Sequence, residues 1–137
     1  MYETIRKKTS PVQPTDSELV ILQVLWSAGP TTVRTVNEQL NTTSQKEIGY
    51  TTTLKLMQLM AEKGLVTRDT SSRTHIYAAA PKEGVQKNLL RRFVDNAFGG
   101  SAAGLVLRAL GDGQTSAEEL TEIKRLIEEL ENGNTHD

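Results

Sequence analysis

The stretch "LVTRDTSSRTHIYAA", residues 65–79, decides how the rest of the chain is read. Leu65, Thr67 and Asp69 alternate with Val66 and Arg68, the period-2 pattern of a half-buried strand. "HIYAA" reads as a second strand, and the intervening "TSSRT" is built from residues that turns favour. The segment is therefore expected to form a two-stranded hairpin, and its meaning depends on what precedes it.

Three short helices are expected upstream. "TDSE" at 15–18 is a capping box, in which the Thr15 hydroxyl accepts from the Glu18 N–H and the Glu18 carboxylate reaches back. The helix that follows carries Leu19, Leu22, Val24, Leu25 and Trp26 and stops at Gly29-Pro30. Trp26, the only tryptophan, is read as a core anchor. "TTVRTVNEQLN" starts a second helix with Val33, Val36 and Leu40 on one face and either Thr31 or Thr32 as its cap. "NTTSQKEIG", 41–49, has no apolar period and reads as a polar connection. A third helix runs from Thr51 to Lys63, with Thr53, Leu56, Met57 and Met60 as its buried stripe and Gly64 as its stop. Three helices closed by a hairpin make a winged helix-turn-helix, so the fold class is mainly α (α+β).

Downstream of Pro81 the pattern is wholly helical. "VQKNLLRRFVDNAF" breaks at Gly99-Gly100, "SAAGLVLRALGDG" is a short apolar helix, and "TSAEELTEIKRLIEELEN" opens on a second capping box, Ser116 to Glu119. Three short helices bury their apolar faces poorly alone, so a second copy of the chain is the expected partner. The dimerisation candidates are Leu89, Phe93, Phe98, Leu105, Val106, Leu120, Ile123, Ile127 and Leu130. The expected organisation is a flexible tail (1–14), a winged unit (15–81), a three-helix dimerisation unit (82–132) and a disordered tail (133–137).

The third helix opens on three threonines, Thr51, Thr52 and Thr53, although threonine is a mediocre helix former. In a helix-turn-helix this end lies nearest the base edges of the major groove. Short hydroxyl side chains there allow close approach, and they can meet phosphates, base edges or the thymine methyl. Thr51 and Thr52 are thus read as DNA contacts, with Thr53 turned to the core, Lys55 on the same outer face and Tyr50 preceding the helix. One threonine would be explained by capping alone; three are not. At the hairpin, Arg68, Ser72 and Arg73 are candidates for backbone or minor-groove contacts, and Arg34, with Thr31 or Thr32, for a phosphate. "RKK" at 6–8 can be a solvated terminus or an arm that tracks DNA.

Composition sets the limits. The chain has 137 residues, a formal net charge of −1 and no cysteine, which excludes disulfides and thiolate metal sites. The charge is uneven: residues 1–82 hold 10 Lys/Arg against 7 Asp/Glu, and residues 83–137 hold 6 against 10. No apolar run approaches the roughly 20 residues needed to cross a membrane, and the N-terminus has no signal-peptide core, so the chain is expected to be cytoplasmic. His75 and His136 lack the carboxylate spacing of a metal site. There is no nucleophile–base motif, phosphate-binding loop or HExxH helix, so neither an enzyme nor a cofactor is expected. A protein-interaction module and a small-molecule-sensing regulator remain alternative uses of the same fold.

"SELVILQVLW", "TTVRTVNEQL", "GYTTTLKLMQLMAEKGLV", "SSRTHIYAA" and "FGGSAAGLVLRAL", followed by an acidic helix with a "TSAEE" cap, resemble the BlaI/MecI-type penicillinase-repressor family. The match covers roughly residues 15–131. The resemblance implies a homodimeric transcriptional repressor on a pseudo-palindromic double-stranded DNA operator. It also implies relief of repression by a membrane-bound sensor metalloprotease that cuts an Asn-Phe bond in the C-terminal domain. The matching segment here, "LVLRALGD", has Arg108-Ala109 in place of that bond. Copper-responsive relatives carry a C-terminal cysteine cluster, which this chain lacks.

Overall fold

The computed structural model describes residues 13–113 and 115–135; the "RKK" cluster, His136 and the last residue of the expected C-terminal tail lie outside them. The chain forms two compact units whose boundary falls between Leu90 and Arg91. Among the described residues no helix is long and apolar enough to cross a membrane.

In the first unit, α1 (Asp16–Ala28) begins at the capping box: Glu18 N–H donates to Thr15 Oγ1 at 3.2 Å and Thr15 N–H to Glu18 Oε1 at 2.9 Å. α2 (Val33–Thr43) is capped by Thr32, which settles the choice left open between Thr31 and Thr32. It extends two residues past Asn41, into the segment read as connection. α3 (Tyr50–Lys63) ends at Gly64, whose φ of 82° is left-handed, and Leu65 N–H reaches back to Met60 O at 2.9 Å. The hairpin follows as β1 (Val66–Asp69) and β2 (Ile76–Ala79), antiparallel with Arg68 opposite Tyr77.

The alternation read in β1 is not what the fold uses. Leu65 and Val66 are both buried, and Thr67, Arg68 and Asp69 are all exposed. β1 packs through Val66 and the preceding Leu65 alone; beyond them the buried residue of the ladder is Tyr77 of β2, opposite Arg68, so the outer residues of β1 have no core to alternate toward.

The core unites Ile21, Leu22 and Leu25 of α1, Val33, Val36 and Leu40 of α2, Met57 and Met60 of α3, and Leu65, Val66 and Tyr77 of the hairpin. Each such burial is worth about 1.5–3 kcal/mol over an exposed position. Trp26 stands at the core's edge, half-buried, with its indole N–H donating to Ala80 O at 2.8 Å. Thr53 is fully buried, as expected of the third threonine.

Among the described residues Glu18 is the one charged side chain in this core, 2% exposed, and Lys63 Nζ donates to both its oxygens at 2.8 and 2.9 Å. The pair joins the start of α1 to the end of α3. Burial alone would raise the carboxyl's pKa, but the bonds from the Lys63 ammonium and from Thr15 prevail and hold it below the ordinary glutamate range. A carboxyl with a lowered folded-state pKa contributes stability that is complete above its unfolded pKa and is lost as pH falls through the folded one. Urea midpoints measured by circular dichroism should therefore drop on acidification through that window. Glu18→Gln should flatten the dependence and cost about 1–3 kcal/mol at neutral pH; an unchanged pH profile would exclude this role.

α4 (Lys82–Ala97) starts in the first unit, not in the second as the expected boundary at Pro81 has it. Val85 joins the N-terminal core and Leu89 packs against it, so Leu89, read as a dimerisation residue, has its apolar contact here. The second unit continues with α5 (Ala102–Gly111) and α6 (Ala117–Thr135), which runs beyond the helix end expected near Asn132. Phe93 and Phe98 meet edge-to-face at 5.7 Å, and the left-handed Gly99 and Gly100 (φ 58° and 87°) turn the chain there. The Ser116 box caps α6, with bonds of 3.0 and 3.1 Å to and from Glu119. Yet among the described residues after Leu90, Val94 is the sole buried hydrophobic side chain. Phe93, Val106, Leu107, Leu120, Leu126, Ile127 and Leu130 are all exposed, whereas Phe98, Leu105 and Ile123 are half-buried.

Candidate nucleic-acid interface

The opening of α3 answers the question of its threonines. None of the three hydroxyls caps the helix: the N-cap is Gly49, with no side-chain cap bond, and Tyr50 is the first helical residue instead of preceding the helix. The first intrahelical bond is Thr53 N–H to Gly49 O at 3.2 Å, so the N–H groups of Tyr50, Thr51 and Thr52 have no acceptor within the helix. That end carries partial positive charge, which suits an anionic group. The Thr51 and Thr52 side chains are exposed beside it.

Thr53 does different work. Its Oγ1 accepts from Asn37 Nδ2 at 2.9 Å, and Asn37 also donates to Ile48 O at 2.9 Å. Asn41 clasps the same residue from both sides, donating to Ile48 O at 3.0 Å and accepting from Ile48 N–H at 2.7 Å. Two asparagines of α2 thus fix the turn that aims α3, and satisfy backbone groups that a polar connection would otherwise leave loose.

On α3, Thr51, Lys55, Gln58 and Glu62 recur at helical spacing and all are exposed. Thr52 stands on the flank toward α1, in a concavity shared with Val20, Thr43 and Leu56. On the other flank, α3, the start of α2 and the hairpin enclose a groove of about 540 Å³. Its lining includes Arg34, Arg68 and Arg73 with Thr32, Tyr50, Gln58 and His75. The Arg34 guanidinium lies 5.6 Å from the centre of the Tyr50 ring, within cation–π range.

The remaining candidates are tied locally. Thr32 Oγ1 accepts from Thr35 N–H at 3.2 Å and donates to Thr35 Oγ1, so it serves the cap of α2. Thr31 exchanges both backbone bonds with Tyr77, at 3.0 and 2.7 Å. Ser72 Oγ donates to Thr74 O at 2.9 Å at the hairpin tip. There the Asp69 carboxyl accepts from Ser71 N–H at 2.9 Å, and bonds from Ser71 lower its pKa. Asp69 therefore leaves one negative charge beside Arg68, which tempers the tip's attraction for phosphate.

The profile of the penicillinase repressor family matches residues 14–129, across both units. The chain belongs to the penicillinase repressor family. The transcriptional regulator BlaI of Mycobacterium tuberculosis, in strains CDC 1551 / Oshkosh and ATCC 25618 / H37Rv, is 31% identical over 121 residues, which cover 86% of this chain and 85% of the relative. Penicillinase repressors regulate transcription and are not enzymes. Within this repressor fold, sequence reading missed Gln58 and His75 as groove residues. Gln58 was open to detection, since it lies seven residues after Thr51 and three after Lys55, on their face of the helix.

Proposed function

We propose that the chain binds a pseudo-palindromic DNA operator as a homodimer and represses transcription by occupying it. The observation that carries this reading is the convergence of Arg34, Arg68 and Arg73 on one groove beside the uncapped start of α3. The groove lays cations along a phosphate backbone while Thr51 and Lys55 face the base edges and Thr52 stands at their flank toward α1. The exposed apolar side chains of α4, α5 and α6 support pairing of two chains, which places two α3 helices about one DNA turn apart or a multiple of it. Any event in residues 91–135 that separates the protomers then releases DNA with α3 intact, whether proteolysis or another signal.

Salt titration of operator binding tests this. Three phosphate-facing cations per protomer, Arg34, Arg68 and Arg73, give a slope of log K against log salt of about −5 for a dimer. Arg73→Ala should weaken all sequences alike and reduce the slope by about 2, one contact from each protomer. Lys55→Ala should instead alter sequence preference. Binding that is insensitive to salt, or an Arg73→Ala effect confined to one sequence, would contradict the assignment.

A further inference from the structure

We propose that Gln58 reads an adenine in each half-site, an assignment that rests on the DNA-binding reading above. Gln58 is exposed on the outward stripe of α3, and among the described residues its amide has no hydrogen-bond partner. It also lines the groove that holds Arg68 and Arg73, so those arginines would hold a backbone beside it. A glutamine amide carries one donor and one acceptor in a plane, which matches the N6 and N7 edge of adenine in the major groove; a lysine offers only donors and suits guanine. The stripe has one of each, Lys55 and then Gln58. Its next member, Glu62, carries a negative charge that phosphates repel, so base reading along this face ends at Gln58.

Helix rise sets the spacing. Gln58 lies about 4.5 Å beyond Lys55 and about 10.5 Å beyond Thr51 along the axis of α3. A recognition helix lies at an angle to the duplex axis, so these rises are upper bounds: with base pairs about 3.4 Å apart, the adenine falls about one step from the pair met by Lys55 and about two from that met by Thr51.

The test is selection from randomised duplex DNA with the full-length wild type, Gln58→Ala and Gln58→Glu, each checked for an unchanged thermal midpoint. The wild type should enrich half-sites with a fixed A·T pair about one step from a fixed G·C pair. Gln58→Ala should lose the preference at the A·T position by about 5- to 150-fold and leave the G·C position alone. Gln58→Glu, which only accepts, should shift that position toward cytosine. If both variants keep the wild-type preference everywhere, or weaken all sequences equally as a phosphate ligand would, the proposal is wrong. If the wild type enriches no sequence, the DNA-binding reading fails, and this one with it.

Discussion

Replacing Ile127 and Leu130 together by glutamate is expected to yield a monomer in sedimentation equilibrium and to weaken operator binding by at least 100-fold. Both side chains are about half exposed on α6, at 47% and 57%, so a charge there leaves the core of the first unit untouched. They continue the stripe of Leu120 and Ile123, whose 3, 4, 3 spacing suits helix-on-helix packing. New carboxylates beside Glu128, Glu129 and Glu131 would face their own copies across a two-fold axis, where like charges repel. Affinity falls because the second half-site is then met from solution and not from a tethered neighbour; effective concentration alone accounts for about 10²–10⁴-fold. A monomeric variant that retains full operator affinity would sink the homodimer mechanism.

Tyr77→Ala should cost about 3–5 kcal/mol, measured by urea denaturation of the first unit. Tyr77 is 1% exposed and is the largest fully buried side chain, at the point where β2 lies across the helices. Its truncation leaves a cavity between α1, α3 and the hairpin that close packing cannot refill. Against a typical total of about 5–15 kcal/mol, that loss brings the unit near unfolding. Tyr77→Phe keeps the ring and should cost no more than about 1.5 kcal/mol. Because Arg68 is the direct cross-strand neighbour of Tyr77, the alanine variant should also lose DNA binding before it unfolds. An unchanged urea midpoint would show that the hairpin base is not part of the core.

Much of this fold is legible in the sequence because local signals agree with one another. The Thr15 and Ser116 boxes, the stop at Gly64 and the Met57–Met60 stripe each report a short-range rule, and each stands where it was read. The failures occur where tertiary contact decides. Alternation in β1 names a buried face that only Val66 keeps, since beyond it the core is met by Tyr77 of β2 while Thr67, Arg68 and Asp69 are exposed. Leu89 belongs by periodicity with the later helices, but α4 begins before the first unit ends. The threonine run marks the right end of α3, whereas the glycine before it, not any hydroxyl, forms the cap. Gln58 escapes notice because its amide is unremarkable until Arg68 and Arg73 are seen across the groove.

The backbone bridge between Thr31 and Tyr77 has a mechanical consequence. It stitches the base of the wing to the residue just ahead of α2, so the hairpin cannot hinge like a free flap. Arg34, three residues beyond the stitch, and Arg68, directly across the ladder from Tyr77, are held at a set span before any duplex arrives. If the proposed operator binding holds, DNA would meet a stiff clamp jaw and not a loop that must be frozen on contact, and pre-shaping of this kind favours tight association by sparing ordering entropy.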